Sequence, residues 1–223
     1  MTHIVVAGTG YVGLTTGVSF ATVGYNVTCV DIDAEKIELL QKGICPIFEP
    51  GLKESLLENS SFNKIEFTTN FKAAYSQADI IFIAVGTPEL PDGTANLQYL
   101  KAVAKEIAIH AKKNLIIVIK STVPVGTNEA VKKIMLENAP PHLTIEIVSN
   151  PEFLREGSAL YDLFNGDRIV IGSESQNATD LIKELYKPFN TPIYTTDARS
   201  AELIKYASNA FLATKISLLT KLP

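Results

Sequence analysis

The chain has 223 residues, 46% of them hydrophobic and 20% charged, which is enough apolar material for one large domain or one and a half ordinary ones. A net charge of -4 and a pI near 5.5 offer no electrostatic attraction to nucleic acid or to an anionic membrane. The amino terminus passes directly into an apolar run without a charged-then-apolar signal pattern, and no apolar stretch approaches the ~20 residues that span a bilayer, so a cytoplasmic protein is expected.

The first predicted strand is Ile4 to Ala7, followed at once by Gly8-Thr9-Gly10-Tyr11-Val12-Gly13, a helical pattern from Val12 to Val23, and a second strand at Val27 to Val30 that ends in Asp31. In that order the elements make a dinucleotide site. Gly8 permits the tight turn, Gly10 lets the backbone approach a pyrophosphate, and Gly13 lets the helix pack closely on the sheet. The phosphates then meet a helix N-terminus, whose unpaired N–H groups and dipole favour an anion. Asp31 can accept hydrogen bonds from the adenosine ribose, and its charge repels a 2′-phosphate, which favours NAD over NADP. An isolated glycine pattern of this kind is as readily only a turn, and Asp31 could instead cap the helix Ala34 to Gln41, a role that Asp33 fills at least as well.

Further apolar runs follow at Ile65 to Thr68, Ile80 to Val85, Leu115 to Ile119, Ile145 to Val148, Ile169 to Ile171 and Ile193 to Thr195, with helical patterns between most of them. The third run is the weakest as a strand. Continuous apolar strands alternating with helices predict an α/β fold, a doubly wound, mostly parallel sheet of the Rossmann type covered on both faces. Ligands in such folds bind beyond the carboxyl ends of the strands. There lie Gly86-Thr87-Pro88, Ser121 to Thr127, and Asn150-Pro151-Glu152-Phe153-Leu154-Arg155-Glu156-Gly157. Taken singly, each reads as turn and cap chemistry; together, they converge on the edge where Gly10 would place a cofactor.

Ser200 to Ser217 lacks Pro and Gly and reads as one long helix. Lys205 and Asn209 share a face, where the lysine could hold a developing negative charge and the asparagine orient it, or where Lys205 could be an ordinary solvated lysine. The domain expectation is a Rossmann-type unit over 1–196 and a long helix over 197–223. Cys29, Cys45 and three scattered histidines form neither a disulfide framework nor a metal site by spacing.

Together the motifs GTGYVG at 8–13, VDID at 30–33, PIFEPGL at 46–52, GTP at 86–88, STVPVGT at 121–127, NPEFLREG at 150–157 and ELIKYASNAFLATKIS at 202–217 resemble the nucleotide-sugar dehydrogenase family over nearly the whole chain. The resemblance implies oxidation of a nucleotide sugar's C6 alcohol, UDP-glucose foremost and GDP-mannose or UDP-N-acetyl-mannosamine as runners-up, to a carboxylate by two hydride transfers to NAD. It further implies an aldehyde, its capture by a cysteine thiolate, and hydrolysis of the resulting thioester. By matching position, Gly8, Gly10, Val12, Gly13, Asp31, Lys36, Thr87 and Thr122 would hold NAD, with Glu156 near its nicotinamide end. Glu152 would serve the hydrolytic step as general base or acid, and Glu152, Phe153, Leu154 and Arg155 would line the sugar site. Lys205 and Asn209 would also contact the substrate, stabilise the oxyanion and help position water, and Thr122 joins them in the catalytic set. The family's nucleophilic cysteine lies in a glycine-rich context that neither Cys29 nor Cys45 shares, and its members continue through a second α/β domain. The expectation is therefore a truncated member with a foreign tail from Leu218 to Pro223, weakly active or inactive alone, whose helix residues Ile204, Phe211 and Leu212 are partly uncovered; full-length members would be homodimers. A dehydrogenase and a non-catalytic NAD-binding module both remain open.

Overall fold

A computed structural model describes residues 2–221; Met1, Leu222 and Pro223 lie outside it. In chain order the elements are β1 (His3–Ala7), α1 (Tyr11–Thr22), β2 (Asn26–Val30), α2 (Ala34–Gln41), α3 (Leu52–Ser61), β3 (Ile65–Thr68), α4 (Phe71–Gln77), β4 (Ile80–Ile83), α5 (Gln98–His110), β5 (Leu115–Ile119), α6 (Thr127–Asn138), β6 (Ile145–Ser149), α7 (Ala159–Asn165), β7 (Ile169–Gly172), α8 (Gln176–Tyr186), β8 (Ile193–Thr196) and α9 (Ala198–Leu219). The strands form a single eight-stranded sheet in the order β3-β2-β1-β4-β5-β6-β7-β8. This is the doubly wound Rossmann arrangement, and the strand order reverses between β1 and β4, where a crevice opens at the carboxyl edge.

The central strands are buried on both faces, which is why β1, β4 and β5 read as unbroken apolar runs. Residues Val6, Cys29, Phe82 and Val118 point to one face, where Leu14, Val18 and Phe20 of α1 and Ile182 of α8 cover them. Val5, Ile81 and Ile117 point to the other, under Tyr75 of α4, Leu100 and Ala104 of α5 and Val131 of α6. Helix α1 is sunk into the molecule, and a Cβ on its Gly17 would stand 2.5 Å from the Cys29 sulfur. β3 lies at the edge and alternates buried with exposed positions, which accounts for its weak strand signal.

β1 to β6 pair in parallel, but β7 turns back and meets β6 antiparallel through one residue pair, Ser149 with Gly172. Both are the last residues of their strands, so β7 projects past the carboxyl end of β6 and carries β8, its parallel neighbour, with it. Ile169, at the start of β7, lines a cleft at this edge. Helix α9 packs on β7 and β6, and its buried Glu202 accepts the Gly126 and Asn128 amides at 2.7 and 2.8 Å, capping α6 from another element. Ile204 is half-buried, and beyond Lys205 the helix emerges, leaving Phe211 and Leu212 exposed.

Candidate active site

Two neighbouring groups of side chains occupy the carboxyl edge. The first surrounds the β1–α1 turn. Gly8 has φ +101, and a Cβ there would stand 2.7 Å from the Ala84 carbonyl oxygen; a Cβ on Gly13 would stand 2.0 Å from the Gly8 carbonyl oxygen. Both positions are closed by the protein itself. Gly10 differs, since a Cβ there would meet nothing within 4 Å: its free space lies outside the chain, at the N-cap of α1, where no side chain caps the helix. An open, uncapped helix start reached through a glycine suits a pyrophosphate.

Asp31 closes this group. One carboxylate oxygen accepts the Thr9 amide at 2.7 Å, the Thr9 hydroxyl at 2.6 Å and, more distantly, Lys36 Nζ at 3.4 Å. Burial works to raise its pKa, but those bonds, the Asp33 amide and the Lys36 charge hold it below the usual carboxylate range. Helix α2 is capped by Asp33, which accepts the Lys36 amide at 3.0 Å, so Asp31 is free of that role and turns its carboxylate to Thr9 of the glycine turn. Val12 and Lys36 are half-buried beside it, and Thr87 donates to the Thr122 carbonyl at 2.7 Å, tying the loops after β4 and β5 together.

The second group lines a cleft of about 400 Å³ that takes in Glu152, Phe153, Leu154, Arg155, Lys205 and Asn209. Lys205 is only 6% exposed, and its ammonium stands 2.7 Å from Glu152 Oε1 and 5.3 Å from the Phe153 ring centroid. The solvated-lysine reading therefore fails, because α9 enters the sheet's edge at this turn. Asn209, one turn on, is exposed along the cleft. Thr122 and Glu156 are not in the cleft lining, and Glu156 is exposed. Arg155 is engaged by Asp162, which accepts its amide, its Nε at 3.0 Å and its Nη2 at 2.6 Å. Those bonds hold the Asp162 carboxyl below its usual range.

Sequence reasoning missed the cleft's floor. Asn150, fully buried at the end of β6, accepts from Lys120 Nζ at 3.1 Å and from the Tyr186 hydroxyl at 2.6 Å, while its amide donates to the Val170 carbonyl at 2.8 Å. Burial lowers the Lys120 pKa to about 8, partly offset by Glu152. A further clasp joins the two groups: Glu49 Oε2 accepts the Tyr11 hydroxyl at 2.5 Å and the Gly157 amide at 2.9 Å, and Glu49 Oε1 is buried without a partner. Burial first, and the Glu49 bond second, push the Tyr11 phenol up to about 12. Only the motif PIFEPGL hinted at Glu49.

Cys29 is buried in β2, with burial pushing its thiol up to about 12, and Cys45 is half-buried with its sulfur 3.1 Å from the Ile47 carbonyl oxygen; neither lines the cleft. Among the described residues no helix is long and apolar enough to cross a membrane, and no cluster of three or more His, Cys, Asp or Glu could hold a metal ion.

Comparison with known proteins gives one consistent result. Residues 2–190 match the profile of the UDP-glucose/GDP-mannose dehydrogenase family, NAD binding domain. The UDP-glucose 6-dehydrogenase YwqF of Bacillus subtilis is 54% identical across 99% of this chain and 50% of its own length. A UDP-glucose dehydrogenase structure from Pyrobaculum islandicum superposes with a TM-score of 0.94 at 42% identity, covering 98% of this chain and 51% of that one. A ternary complex of GDP-mannose dehydrogenase from Pseudomonas aeruginosa gives 0.92 at 33% identity, covering 96% and 51%. The chain spans about half the length of the curated relatives it matches.

Proposed function

Because the chain belongs to the UDP-glucose/GDP-mannose dehydrogenase family and comprises its NAD-binding domain, we propose that it supplies the cofactor site and the acid–base half of the catalytic site of a UDP-glucose 6-dehydrogenase. The observation that carries the reading is the pair of buried Lys205 and half-buried Glu152, 2.7 Å apart in a cleft at the same sheet edge as the open glycine turn.

The residues present fit NAD. Gly10 leaves room for the pyrophosphate at the start of α1, Asp31 offers acceptors for a ribose, and Val12, Lys36, Thr87, Thr122 and Glu156 surround the remainder of its path. NAD, when bound, accepts hydride from the substrate carbon. Glu152, its carboxylate opening on the cleft, accepts the proton of the C6 hydroxyl, and Lys205 donates to the oxygen as negative charge gathers on it. Asn209 orients the same oxygen, and Phe153, Leu154 and Arg155 form the wall against which the sugar lies. In domain terms, residues 2–196 serve as the cofactor unit and α9, Ala198–Leu219, delivers Lys205. A homodimer through α9 belongs to the same proposal.

A second reading is favoured by the cysteines, neither of which lines the cleft: an NAD-binding module that does not itself form a thioester. Calorimetry tests both. NAD is titrated into the purified chain, then UDP-glucose into the NAD-saturated sample. Binding of both, followed by NADH formation at 340 nm, supports the dehydrogenase; NAD binding alone supports the module; absence of NAD binding removes both.

A further inference from the structure

A nucleotide sugar brings two negative phosphates into the cleft, and four cations line it. Lys205 is paired with Glu152 at 2.7 Å. Arg155, the arginine that sequence offers, is spent on Asp162, which takes three of its N–H groups. Lys120 sits on the floor at 3% exposure, held by Asn150 and Tyr186. The fourth is Arg168, at the mouth of β7. Its guanidinium lies over the Phe153 ring, 4.2 Å from the centroid, and its Nη2 donates to Ser208 of α9 at 3.3 Å. Among the described residues it forms no salt bridge, so most of its five N–H donors are uncommitted.

Resting on the nucleotide-sugar reading above, we propose that Arg168, and not Arg155, is the anchor for the substrate's diphosphate. The contact with the Phe153 ring holds the guanidinium in place without neutralising it, and its planar fork suits two phosphate oxygens. The position is right as well. Lys205 Nζ lies 5.3 Å from the centroid of the same ring, so the two cations can be no further apart than a single hexose ring with its glycosidic oxygen can bridge. An anion held by Arg168 therefore leaves the sugar's far end at Lys205 and Glu152. The direction reversal of β7 is what brings Arg168 to this edge, since a parallel strand would have begun at the opposite one.

The test compares wild type with Arg168→Gln, Arg168→Lys and Arg155→Gln, each NAD-saturated and titrated with UDP-glucose and separately with inorganic pyrophosphate. Arg199→Gln, which removes an equal charge from a surface pair with Glu129, is the control. We expect Arg168→Gln to weaken both ligands at least tenfold and to flatten the salt dependence of binding. Arg168→Lys, which keeps the charge and loses the fork, should recover part of the loss, and NAD affinity should stay unchanged in every variant. Equal UDP-glucose binding in Arg168→Gln and wild type overturns the anchor and leaves the proposed function standing. So does a larger loss in Arg155→Gln than in Arg168→Gln. A loss in Arg168→Gln for UDP-glucose alone, with pyrophosphate unaffected, overturns the anchor in favour of a sugar contact. Wild type that binds NAD but neither probe overturns the substrate reading and the anchor together.

Discussion

At the scale of single residues, the glycine turn separates two uses of the same amino acid. At Gly13 a methyl group would collide with the Gly8 carbonyl oxygen, so Gly13→Ala should cost about 1–3 kcal/mol or more, visible in chemical denaturation. At Gly10 the same methyl meets no protein atom, so Gly10→Ala should fold with stability within about 0.5 kcal/mol of wild type while losing NAD affinity at least tenfold by calorimetry. Equal losses of stability in the two would show that Gly10 serves the fold. Asp162 gives a pH prediction. Its pKa is lowered by the Arg155 bonds, so its contribution to stability is complete above the unfolded value of about 3.9 and disappears as pH falls through the lower folded value. Asp162→Asn should be less stable than wild type at pH 7 by about 1–3 kcal/mol, and thermal melts should converge as pH falls below about 4. The residues that were legible in sequence are those whose meaning is local: Gly8, Gly10, Gly13 and Asp31 declare themselves by spacing and by what precedes them. Lys120 and Arg168 did not, because Lys120 finds its partners 30 and 66 residues away and Arg168 finds Ser208 40 residues away.

Among the elements, burial pattern reported which segments are strands and left their direction open. Ile169–Gly172 is buried at every position, as are the parallel β4 and β5, and an apolar run of that kind fits either orientation. Length does not decide it either, since the 150–168 connection through α7 is about as long as the 173–192 connection through α8 that joins β7 to β8 in parallel, and the bond from Asn150 to the Val170 carbonyl that holds the reversed strand has no periodic signature. The long helix was legible from its lack of Pro and Gly, but its docking was not, since a buried glutamate with its partners on α6 looks in sequence like one more solvated charge. Glu202→Gln keeps a single acceptor where two amides need one each. It should lower stability by about 1–3 kcal/mol and speed hydrogen exchange at the Gly126 and Asn128 amides; unchanged exchange there would mean that α6 is capped by other means.

For the whole molecule, cofactor binding and folding are linked. NAD that binds only the folded chain should stabilise it by about 2.7 kcal/mol at a hundredfold excess over its dissociation constant, whereas NADP, whose 2′-phosphate would face the carboxylate of Asp31, should give little or no rise in melting temperature at the same concentration. Equal rises for both would remove Asp31 from the selectivity argument. The seam between β6 and β7 bears on mechanics. With one residue pair where neighbouring strands share four or five, the sheet has a crease there, and Asn150 is the stitch across it, reaching Lys120, Tyr186 and Val170 at once. Asn150→Ala should therefore loosen one leaf of the protein and spare the other. Amide exchange should accelerate in β7 and β8 well before it does in β1, β4 or β5, and the cleft would open and shut like a book along that crease while the cofactor page stays flat.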